Sequence, residues 1–132
     1  MRYLLTIYTD ESRYASMTPE QSAQLMADYG AFGREAQEAG ALLGGEGLQP
    51  TSTATTVRVR DGETLFTDGP FAETREQLGG YYLLECADLD EATRWAAKIP
   101  DAKGGAVEVR PVMDYEAMGH EEAHTQSEGV QS

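Results

Sequence analysis

The order of apolar and polar positions divides the chain into short strands and two helices. Arg2 to Tyr8 is rich in aromatic and branched residues and apolar on both faces, which predicts a central strand of a packed sheet. Thr9 to Met17 is polar and reads as an exposed connection. Thr18-Pro19-Glu20-Gln21 then supplies a capping hydroxyl, a proline at the first helical position and a glutamine three residues after the cap, so a helix starts here. Leu25, Tyr29, Phe32 and Ala36 recur at helical spacing, Met26 widens their stripe, and Gly40 supplies the left-handed terminus. Core packing is the expectation for all five of these side chains.

Ala41 to Leu48 is a strand interrupted by glycines, which predicts a bulge or the close approach of another backbone. Ala54 to Arg60 alternates, with Thr55, Val57 and Val59 on one side and Thr56, Arg58 and Arg60 on the other. Asp61-Gly62 is a strong hairpin turn, and Glu63 to Thr67 is the returning strand. Tyr81 to Cys86 is apolar on both faces and reads as a buried strand. Asp88 to Glu91 caps a second helix, whose Leu89, Ala92, Trp95, Ala96 and Ile99 form one stripe before Pro100 ends it. Ala102 to Ala106 is a glycine-containing turn, and Val107 to Arg110 alternates as the last strand.

This order, strand, helix, strand, inserted hairpin, strand, helix, strand, is a split βαβ plan with both helices on one face of an antiparallel sheet. The other face has no cover in a single chain. Burial against a second copy is the simplest remedy, so a two-fold dimer packed sheet to sheet is expected.

Composition narrows the function classes. With 132 residues the chain suits one domain, here residues 1–113, followed by a segment 114–132 that turns to Glu, His, Gln, Ser and Gly without apolar periodicity and reads as an acidic, disordered tail. A net charge of -13 repels phosphate backbones and anionic membranes, which argues against nucleic acid as a partner. No stretch approaches the roughly 20 apolar residues of a membrane helix, and the lone Cys86 lies in an apolar strand pattern with no disulfide partner. A soluble cytoplasmic protein is the expectation, with Cys86 as packing. His120 and His124 lie four apart in the tail, without the further ligands a metal site needs.

The densest chemistry lies between the hairpin and the fourth core segment, in Asp68-Gly69-Pro70-Phe71-Ala72-Glu73-Thr74-Arg75-Glu76-Gln77-Leu78-Gly79-Gly80-Tyr81. Pro70 removes the N-H that an aspartate would ordinarily cap, so the Asp68 carboxylate is left for another purpose. This block, with Gly45 to Pro50 upstream and Glu108 to Val112 downstream, resembles the DGPF-type branch of the YCII-related family over about Met1 to Asp114. The resemblance implies a ferredoxin-like α+β domain, usually dimeric in a dimeric α+β barrel-type assembly, and hands over no settled activity. Proteins of that branch are often encoded beside extracytoplasmic-function sigma factors. The smaller YCII proteins resemble enzymes in carrying a histidine near the start of the first helix together with an aspartate. Here Thr18-Pro19-Glu20-Gln21 holds no histidine, so that dyad is missing.

Two function classes follow. In the first, a cleft bounded by the hairpin, Gly44 to Gly47 and the Asp68 loop holds a small molecule. Asp68 would be its general base or anchor, with Glu73 or Glu76 as the neighbouring carboxylate and Arg58, Arg75 and Arg110 as planar forks for an anionic group, and Tyr81 close by. The same charges would equally make ion pairs that fix the loop. In the second, the protein is a regulatory or interaction module whose acidic surface docks on a basic partner such as a sigma factor.

Overall fold

In a computed structural model, which describes residues 1–119, six strands and three helices follow the chain in this order. They are β1 (Arg2–Thr9), α1 (Glu11–Ala15), α2 (Pro19–Glu38), β2 (Leu42–Gly47), β3 (Thr55–Arg60), β4 (Glu63–Asp68), β5 (Gln77–Glu85), α3 (Leu89–Lys98) and β6 (Ala106–Pro111). β2, β5, β1 and β6 form one sheet in that order, every neighbouring pair antiparallel. β3 and β4 form a separate two-stranded ribbon. Counting only the four sheet strands, this is the split βαβ arrangement of a ferredoxin-like fold, with the ribbon inserted between its second and third strands.

The local signals act where the sequence places them. Thr18 accepts from the Gln21 amide at 3.1 Å while the Gln21 side chain accepts from the Thr18 amide at 2.9 Å, a reciprocal capping box. At the other end of α2 the Ala41 amide reaches the Ala36 carbonyl and the Gly40 amide the Gln37 carbonyl, a Schellman turn made possible by φ +72° at Gly40. Asp61 and Gly62 both have positive φ, as the mirror-image two-residue hairpin turn demands.

One core results. Tyr3, Leu5 and Ile7, alternate residues of β1, pack with Phe32 and Ala36 of α2, Ala92, Trp95 and Ala96 of α3, and Leu84 of β5. Both helices therefore lie on one face. Phe32 is the centre of an aromatic group, 4.8 Å from the Tyr82 ring and 6.0 Å edge-on from Trp95. Leu5, Leu84 and Ile99 are fully enclosed, and each such side chain contributes about 1.5–3 kcal/mol by leaving water. Cys86 is enclosed too, and burial pushes its thiol pKa up, which suits packing rather than reactivity.

Three expectations change. The stretch after β1 is a short helix, not a bare connection: Asp10 caps it by accepting from the Ser12 amide. Met26 is 72 % exposed and Leu89 51 %, so neither belongs to the core. Leu25 is only half-buried and lines a cavity, whereas Tyr29, which lines it too, packs against the core as expected. His120, His124 and most of the expected tail lie outside the described residues.

Candidate functional site

The cavity has a volume of about 990 Å³ and opens between α1, the N-terminal half of α2 and the ends of β1, β2 and β5. The glycines explain its shape. A Cβ on Gly80 would stand 2.8 Å from the Glu46 carbonyl, and one on Gly45 would stand 2.7 Å from the Tyr81 carbonyl, so β2 and β5 come together only because both positions are bare. The pairing register shifts between Leu42 and Gly44, the bulge expected of that strand.

At one end of the cavity lies Asp101, 3 % exposed, in the short turn Pro100–Ala102 after α3. Its Oδ2 accepts from the hydroxyls of Tyr14 and Tyr29, each at 2.5 Å. Two donors compensate the cost of withdrawing a carboxylate from water, and the trio ties α1 and α2 to the turn before β6. The phenols respond in turn. Burial, then the hydrogen bond to Asp101, pushes Tyr14 up to about 12, and the same two causes raise Tyr29 further. Burial alone raises Tyr82, which also lines the cavity.

α1 is held over this end by further polar contacts. The Glu11 carboxylate accepts from the Thr51 amide at 2.8 Å and its hydroxyl at 3.0 Å, and the Glu11 amide donates to the Gln77 side chain at 3.0 Å. Through Gln77, whose amide nitrogen donates to the Thr74 carbonyl, α1 is joined to the loop that carries the Asp68 block. Hydrogen bonds from Ser12 hold the Asp10 carboxyl below its ordinary range, with a smaller contribution from the nearby Arg75.

Of the residues singled out in the sequence, Tyr81, Gly45, Glu46 and Gly47 line the cavity. Asp68 ends β4 and is exposed, as are Glu73, Arg75 and Glu76 in the loop beyond it and Arg110 on β6. The Arg58 guanidinium lies 4.8 Å over the Phe71 ring. Gly69, at φ +103°, makes the turn: its amide donates to the Ala54 carbonyl at 2.7 Å and its carbonyl accepts from the Thr56 hydroxyl at 2.9 Å. None of Arg58, Asp68, Glu73, Arg75, Glu76 and Arg110 lines the cavity. Tyr14, Tyr29 and Asp101 were not among the candidates, although a tyrosine in an otherwise polar run and a polar-tipped tyrosine in a helical stripe are the traces they leave.

The fold and cavity define a class: a small ferredoxin-like α+β domain with an apolar-walled groove ending in a buried Tyr-Asp-Tyr cluster. Within that class the chain belongs to the YCII-related domain family, whose model matches residues 1–116. It is 44 % identical over 117 residues to a protein of Rhizobium meliloti (strain 1021) described as uncharacterised, a match covering 87 % of this chain and 94 % of that one.

Proposed function

We propose that the protein binds a small molecule in the groove, its apolar body against Ile7, Leu25 and Tyr82 and its polar end at the Tyr14-Asp101-Tyr29 cluster. The observation that carries this reading is Asp101: an enclosed carboxylate, held by two phenols, at the end of a cavity large enough for a drug-sized ligand. Phenols whose proton affinity is raised keep their protons near neutral pH, so the cluster is better suited to hold a ligand than to act through tyrosinate. Ligand-observed NMR with a fragment mixture tests this. Hits should compete with one another and vanish in Leu25→Trp, which fills the groove from a half-exposed helical position. Hits that persist unchanged in that variant, or none at all, would overturn the reading.

The Asp68 block, on which we place the chain in the DGPF-type branch, enters this reading as an association surface. Val57, Val59 and Phe66 are exposed on the β3–β4 ribbon, with Val57 opposite Phe66, and Phe71 is 73 % exposed beside it. On the sheet face away from the helices, Leu4 pairs with Leu83 and Thr6 with Tyr81. Apolar surface of this extent favours a homodimer.

A further inference from the structure

We infer that the occupant of the groove is an organic amine bound as its ammonium ion, an inference that rests on the binding reading above. Three features of the groove select for it. The first is the direction of the hydrogen bonds at the cluster. Tyr14 and Tyr29 have spent their protons on Asp101 Oδ2, so towards the groove they present oxygen lone pairs only. Asp101 Oδ1 accepts from no described residue, yet no buried side-chain oxygen among the described residues is sealed without a partner, so Oδ1 keeps some exposure on a residue that lines the groove. The trio thus offers acceptors, its own two phenol protons being engaged on Asp101. An ammonium group has donors and no acceptors, whereas a carboxylate, phosphate or carbonyl would bring lone pairs against lone pairs.

The second feature is charge. The charged residues lining the groove are Glu11, Glu46 and Asp101, and no Lys, Arg or His lines it among the described residues. Glu11 is engaged by Thr51 at both oxygens, Glu46 pairs with Tyr81 and so shares its sheet face, away from the helices, and the guanidinium of nearby Arg13 packs against Gly104. Asp101 is therefore the carboxylate free to meet a cation. The third is the wall: Tyr14, Tyr29 and Tyr82 bring aromatic rings to the groove, where a ring face attracts a cation, while Ile7 and Leu25 receive an apolar body.

Isothermal titration of the full chain with phenethylamine, phenethyl alcohol and phenylpropanoate, and with hexylamine, hexanol and hexanoate, separates the possibilities. Each amine should bind at least about tenfold tighter than its alcohol, with the carboxylates weakest. Asp101→Asn should remove the preference for amine over alcohol. Because that change touches an enclosed residue, Met26→Lys is the second variant: Met26 lines the groove but is 72 % exposed, so a lysine there is compatible with the fold and should weaken amines while sparing alcohols. Alcohols or carboxylates that bind as tightly as amines, and are lost in Leu25→Trp, would overturn the amine inference and leave the groove as a binding site. Heat from none of the six probes would overturn both.

Discussion

Asp101 follows Ile99-Pro100 in a turn, the position where an aspartate is ordinarily a solvated surface residue, yet it is enclosed and its two donors come from 87 and 72 positions away. The trio has a consequence for alkaline stability. Tyr14 and Tyr29 have folded-state pKa values above their ordinary 10.0, so the unfolded chain loses those protons first. Stability is therefore complete below about pH 10 and falls as the pH rises towards and beyond about 12. Urea midpoints measured across that window should decline, and Tyr14→Phe or Tyr29→Phe should flatten the decline while lowering the neutral-pH unfolding free energy by about 1 kcal/mol for the lost hydrogen bond. Ultraviolet titration should find a late-ionising class among the seven tyrosines that merges with the rest in urea. None of this was legible in the sequence. Periodicity reports which residues share a face, and it placed Tyr29 correctly on the inward stripe of α2. It carries no information on which turn will meet that stripe, so a carboxylate joined to it only through tertiary folding left no pattern to read.

Elements were far more legible than the site, because caps and turns are local chemistry. Thr18 with Gln21, Gly40, Asp61-Gly62 and Asp88 each settle their own backbone within a few residues, and each marks the boundary that the sequence placed there. α1 was missed for the complementary reason. Its five residues bury none of their number, so no apolar stripe announces it, and it is held by contacts to Thr51, Gln77 and Asp101 that lie far along the chain. The glycines of β2 were read as a bulge or a close backbone approach, and their counterpart on β5 gives a sharp test. Gly80→Ala should cost about 1–3 kcal/mol, since its Cβ would meet the backbone of Glu46 and Gly47. Gly79→Ala, whose Cβ has ordinary contacts at 3.7 and 3.9 Å, should stay within about 1 kcal/mol of the parent protein. Equal midpoints for the two variants in urea titration would contradict the account of why β2 and β5 can pair at this end of the groove.

For the whole molecule, the split βαβ plan was readable because the number and order of apolar segments leave few alternatives. The proposed dimer is a matter of mass. Light scattering of the full chain after gel filtration should give twice 14.4 kDa at micromolar concentration, and Phe66→Asp should give the monomer without lowering the unfolding temperature of the domain core. A parent protein that elutes as a monomer would sink the proposal and free the ribbon for a different partner. One feature of the sheet also bears on how the chain reaches this state. β1 is a central strand, hydrogen-bonded along one edge to β5 and along the other to β6. This strand thus has its partners more than 65 residues away on one side and nearly 100 on the other, so Tyr3, Leu5 and Ile7 wait in water until almost the whole domain has been made. Folding of the domain during synthesis is thereby deferred to its last stage, when β1 can find both of its neighbours.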